Sequence, residues 1–154
     1  PWVILRVPGI YAADRLPIER LKKATPVLRE EEDVYTNHIH AEDLAAICAL
    51  ALERAAPGAI YNLCDDSEMK MGDWFDSCAD AFQLPRPPRI ERAEAEKVMS
   101  EALLSFLRES RQLSNMRTTR ELRLRYRYPT SDDLLHEIRQ MPHEGNQAGQ
   151  MQLF

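Results

Sequence analysis

The chain has 154 residues, 44% hydrophobic and 29% charged, with a formal net charge of −5 at pH 7. That is the composition of one ordinary globular domain. It excludes collagen-like and disordered classes, and its acidity argues against a general electrostatic attraction to nucleic acid or anionic membrane. The longest apolar run, Leu44 to Leu52, is less than half of a bilayer span, and no secretory signal pattern opens the chain. Cys48, Cys64 and Cys78 form an odd set without a C-x-x-C pair, which speaks against a disulfide framework and fits a reducing cytoplasm.

Residues 2–7 read as a short strand buried on both faces, stopped by Pro8-Gly9. The chain begins inside this strand with no lead-in, so a longer parent protein is expected. A loop follows over 10–14, then an amphipathic helix through Leu16, Ile18 and Leu21 with Pro17 in its first turn. Glu30-Glu31-Glu32-Asp33 reads as a solvated acidic loop, and 34–40 as one weakly alternating strand. The spacing of Leu44, Ile47, Cys48, Ala51 and Leu52 predicts a helix over 41–56, ended by Pro57-Gly58. A second buried strand is expected at 59–63. The long helical connection between the two strands suits a parallel crossover and not a hairpin.

The second half reads as mostly helical. Trp74, Phe75, Cys78, Ala79 and Phe82 share one helix face, and residues 91–109 read as the longest helix. Asn115 is a candidate N-cap for a helix over 116–122. Residues 122–128 alternate apolar and Arg and are expected to be extended. Thr130–Asp133 has capping-box character ahead of a helix that buries Leu134, Leu135, Ile138 and Met141. Residues 143–154, rich in Gln and Gly, read as a disordered tail.

Few constellations suggest chemistry. His38 and His40 share one strand face, but a zinc site needs a third ligand, and none can be placed from the sequence. Five arginines between Arg117 and Arg127, interleaved with Tyr126 and Tyr128, could track phosphates. The acidic chain and Glu121 within the patch favour a solvent-facing edge instead. Tyr11 with Arg15 four residues later superficially copies a catalytic tyrosine pair. Its place directly after Pro8-Gly9 favours a residue that packs over a strand end and lines a ligand crevice.

Four collinear stretches resemble a known family: Ile4-Leu-Arg-Val-Pro-Gly-Ile-Tyr11, Asn37-His-Ile-His-Ala-Glu-Asp43, Ile60-Tyr-Asn-Leu-Cys-Asp-Asp66, and Ser114-Asn-Met-Arg117 with Glu121-Leu122 and Tyr128-Pro129. Together they resemble an extended or atypical short-chain dehydrogenase/reductase, in the group of NAD-dependent epimerases/dehydratases. The likeness covers residues 2–138 and the C-terminal half of the family's length. It implies an α/β fold: the C-terminal part of a doubly wound, parallel, Rossmann-type sheet plus a small, mostly helical substrate lobe, over residues 1–142.

The resemblance implies NAD or NADP as cofactor of the intact protein and a small-molecule substrate. Pro8, Gly9 and Ile10 match positions beside the nicotinamide ring, and Tyr11, Arg15, Asn37, His38 and His40 fall on the substrate side. Gly9 stands where many sugar-nucleotide epimerases carry Asn, and His38 where Arg is common, which weakens a nucleotide-sugar assignment. The glycine-rich phosphate loop and the Tyr-x-x-x-Lys pair belong to the family's other half, so no catalytic residue is assigned. Self-association, or pairing with that half, is expected. The alternatives are a noncatalytic binding or scaffold protein on a degenerate copy of the fold, and an RNA-binding module using the arginine stretch.

Overall fold

The computed structural model describes residues 1–141, so the tail expected at 143–154 lies outside the described residues. Its first half contains β1 (Ile4–Arg6), β2 (Gly9–Tyr11), α1 (Ile18–Lys22), β3 (Val27–Leu28), β4 (Tyr35–Thr36), β5 (His38–His40), α2 (Ala41–Arg54) and β6 (Ile60–Asn62). The second half contains β7 (Met69–Lys70), α3 (Met71–Ala81), β8 (Arg89–Ile90), α4 (Arg92–Val98), α5 (Glu101–Leu107), α6 (Met116–Leu122) and α7 (Ser131–Gln140). The strands form two-stranded units: β1–β6, β2–β5 and β3–β8 are parallel, and β4–β7 is antiparallel. The fold is α/β, with a helical lobe after β6. Among the described residues no helix is long and apolar enough to cross a membrane.

β1 and β6 pair in parallel as expected, with Leu5 opposite Tyr61. Burial on both faces is corrected. Val3 and Leu5 pack with Tyr61, Leu63 and Ile47, whereas Trp2 and Ile4 are 59% and 45% exposed. Among the described residues α2 and α6 cover one face of the pair and nothing covers Ile4 on the other. α2 keeps its expected bounds within two residues, but Leu52 and Cys48 of its apolar stripe are exposed. The stripe is wider than the surface it packs on.

Tertiary pairing overrides local pattern in four further places. The loop expected from residue 10 begins as strand β2, because β5 offers it a parallel partner. The single strand expected at 34–40 divides, since β4 pairs with β7 while β5 pairs with β2. The helix expected over 91–109 breaks at Met99–Ser100. Ser100 is extended there and its hydroxyl accepts from Leu103 N at 3.4 Å, a cap that competes with continued helix. The stretch 122–128 begins as the last residue of α6, turns at Arg123 (φ 52), and runs on without a strand partner. Its alternation survives in burial alone: Leu122, Leu124 and Tyr128 are buried, and the arginines are exposed.

The acidic run is also structural in part. Asp33 accepts from Gly72 N at 2.7 Å and pairs with Arg89 at 3.5 Å, and its side chain is fully buried. A Cβ on Gly72 would stand 1.8 Å from Arg89 Nη1, so the close approach of this pair requires glycine. Glu32 likewise accepts from Arg92 N at 2.8 Å, at the start of α4.

The expected capping box forms at α7. Asp133 Oδ2 accepts from Thr130 N at 2.7 Å and Thr130 Oγ1 at 2.9 Å. Leu134, Leu135 and Ile138 are buried against α3, but Met141 is 57% exposed, since the helix has ended before it. Asp133→Ala is expected to cost about 1 kcal/mol of stability in urea unfolding. An unchanged midpoint would show that tertiary packing alone fixes this helix start.

Candidate functional site

The parallel register of β2 and β5 sets Gly9 beside His38 and Tyr11 beside His40. Neighbours in such a pair share a face, so one side of this ribbon carries Tyr11 and both imidazoles. A Cβ on Gly9 would stand 3.0 Å from His38 Cδ2; the glycine leaves that ring its place. Trp74 of α3 closes the group from the opposite side. Its ring lies 4.7 Å from His38 and 5.7 Å from Tyr11, while Tyr11 meets His40 edge-on at 5.2 Å.

Burial controls the charges here. The His38 pKa falls to about 4 because its imidazolium would be desolvated, so the ring is neutral at pH 7. Its Nε2 lies 3.5 Å from Thr36 Oγ1, and its Nδ1 has no hydrogen-bond partner. Tyr11 is buried with its hydroxyl unpaired; desolvation, then the nearby Asp65 carboxylate, push its pKa far upward. A phenol so placed stays protonated and cannot serve as a base. Asp65, buried at the end of β6, has its carboxyl raised to about 6 by the same desolvation. Its Oδ1 accepts from Ser67 N at 2.9 Å, and its negative charge bears on Tyr11.

The sequence-derived residues divide. Gly9, Ile10, Tyr11, Arg15 and His38 line one cleft of about 300 Å³ between β2, the start of α1, and α3. Pro8 is half-buried outside that lining. His40 also lies outside it. Its Nδ1 accepts from Glu42 N at 3.2 Å, capping α2, and its ring stacks on Tyr128 at 3.8 Å. Asn37 is a brace: its side chain donates to Arg111 O at 2.8 Å and accepts from Leu113 N at 2.9 Å.

Sequence reasoning missed Arg20, Thr36 and Phe106 as cleft residues, and took Trp74 for core packing alone. A tryptophan in the first turn of the α3 apolar stripe was the available signal. Asp65 borders a second cavity of about 350 Å³ with Ser67, Gln112 and Asn115.

The arginine–tyrosine stretch turns its aromatics inward. Tyr126 donates to Cys64 O at 2.7 Å, and Tyr128 is buried against His40. Arg117 pairs with Glu121 at 2.9 Å and Arg127 with Glu42 at 2.5 Å. Neither tyrosine ring is available to stack on a base. Among the described residues no three His, Cys, Asp or Glu side chains are grouped to hold a metal ion.

No family model and no curated protein matches this sequence. Solved structures do. A functionally unknown conserved protein from Silicibacter pomeroyi superposes with a TM-score of 0.75 at 28% identity, over 89% of this chain and 47% of that one. A human epimerase family protein with NADPH gives 0.71 at 17% identity, over 91% and 48%. A nucleoside-diphosphate-sugar epimerase from Pseudomonas aeruginosa gives 0.66 at 21% identity, over 88% and 46%. The fold is shared with epimerase-family proteins. The chain spans about half the length of these structures.

A nicotinamide dinucleotide fits these residues in part. The cleft at the C-terminal side of β1 has exposed Gly9 and Ile10 at its lip and the buried rings of Tyr11, His38 and Trp74 in its wall. That suits a planar, partly polar ring. With five glycines in the chain and no glycine-rich loop, the described residues offer no cradle for a pyrophosphate.

Proposed function

We propose that this chain forms the substrate side and nicotinamide edge of an NAD(P)-dependent epimerase/dehydratase-like enzyme or reductase. The observation that carries the reading is the convergence of Gly9, Ile10, Tyr11, Arg15 and His38 on one cleft beside a parallel strand end, where α/β folds bind their ligands. The bound nicotinamide would exchange a hydride with the substrate. Gly9 and Ile10 would meet the ring, with Pro8 stiffening the turn that presents them. Tyr11 and His38 would orient the substrate as neutral polar groups, and Trp74 would exclude water. His40 and Asn37 would act through position, fixing the strand and loop behind the cleft.

In this reading the pyrophosphate anchor and the catalytic acid/base belong to sequence preceding Pro1. That sequence would complete the sheet along β1, where Trp2, Val3, Cys48 and Leu52 border an apolar groove of about 670 Å³.

Two measurements test it. The 154-residue chain alone is expected to show no rise in melting temperature with millimolar NAD or NADP, because helix-terminus contacts to the pyrophosphate lie elsewhere. A rise would overturn the division of labour. In the full-length protein, Gly9→Trp is expected to weaken cofactor or substrate binding about tenfold or more, worth ~1.4 kcal/mol, since the new side chain displaces His38 and enters the cleft. Binding of both ligands at parent affinity would refute the placement.

A further inference from the structure

The cleft beside β2 holds positive charge that no carboxylate among the described residues answers. Arg15 and Arg20 both line it, and no Asp or Glu does. Among the described residues neither arginine pairs with a carboxylate. Arg20 is half-buried, its guanidinium held 4.3 Å above the Phe75 ring, and its Nε has no partner. Two guanidiniums on one cavity with no carboxylate beside them mark a place for an anion.

The rest of the lining says what kind. Ile10, Leu16, Met71 and Trp74 make the walls apolar. Phe106 of α5 stands at the cleft 66% exposed, an aromatic ring that a bound molecule would cover. The volume, about 300 Å³, is at the lower end for ligand pockets, which suits a single-ring body better than a nucleotide.

We propose that this cleft binds a compact organic carboxylate with a planar or apolar body, Arg20 and Arg15 taking the carboxylate and Trp74 and Phe106 the body. The guanidinium fork matches a carboxylate in two parallel hydrogen bonds, and the stack on Phe75 holds that fork in place before the ligand arrives. The proposal deepens the reading above, since it takes this cleft as the substrate side.

Saturation-transfer NMR on the full-length protein tests it with benzoate, neutral benzamide and inorganic phosphate. Benzoate is expected to bind, with benzamide about tenfold weaker or more. Arg20→Gln and Arg15→Gln are each expected to weaken benzoate about tenfold, the scale of one lost charge-assisted hydrogen bond. Arg15 is an exposed loop residue, so its variant keeps the test sound if Arg20→Gln unfolds. Equal binding of benzoate and benzamide, benzoate binding untouched by both substitutions, or phosphate displacing benzoate as an equal would each overturn the proposal. NADPH titrated into the same samples separates the two readings. Benzoate binding without NADPH binding overturns the oxidoreductase reading and upholds the anion site; NADPH binding without benzoate binding overturns the anion site alone.

Discussion

Replacing Asp43 with alanine is expected to lower stability by about 3 kcal/mol, since the amides of Arg127 and Tyr128 lose the buried carboxylate that accepts from them and each such loss costs roughly 1–3 kcal/mol. Asp43 is 2% exposed in the first turn of α2. Its Oδ1 accepts from Arg127 N at 2.8 Å and its Oδ2 from Tyr128 N at 2.9 Å. A carboxylate in the first turn of α2 would ordinarily help to start the helix. In the structure His40 performs that cap, and Asp43 instead holds a segment with no strand partner of its own against the helix. Urea unfolding of the variant checks the value. A loss below 1 kcal/mol would mean that apolar packing of Leu124 and Tyr128 fixes the segment by itself. Asp43→Asn keeps one acceptor and is expected to recover part of the loss.

Two buried groups, His38 and Asp65, should titrate in opposition. Burial lowers the His38 pKa from 6.5 to about 4, so the unfolded chain binds the extra proton in that window. The contribution of His38 to stability is therefore present above about pH 6.5 and lost as pH falls toward 4. Burial raises the Asp65 carboxyl from 3.8 to about 6, so here the folded chain binds the extra proton. The contribution of Asp65 is present below about pH 3.8 and lost as pH rises through 6. The two slopes have opposite sign over nearly the same range and offset each other in the parent. Single variants should uncover them. Relative to the parent, Asp65→Asn is expected to lose up to about 3 kcal/mol between pH 6.5 and 4, and His38→Gln to gain a similar amount over that fall. Urea unfolding at three pH values measures both. Parallel pH profiles for the two variants would show that neither group is desolvated as its position implies.

Periodicity and punctuation by themselves determined the elements whose neighbours lie close in sequence. α2, α3, α6 and α7 follow from three- and four-residue apolar spacing and from their capping residues, since such signals act within one or two turns. The parallel pairing of β1 with β6 follows from the length of the connection between them. The Gly9–Tyr11 stretch is legible as a ligand-facing segment because it follows a strand end. Only the tertiary structure decided what depends on distant partners. β2 exists because β5 lies beside it, and residues 34–40 divide because two different strands claim them. Asp43 reaches across the chain to Arg127 and Tyr128, and Arg20 enters the cleft because Phe75 lies beneath it. A backbone hydrogen bond or a stacked ring is satisfied by whatever the fold brings near, and no local pattern encodes which partner that is.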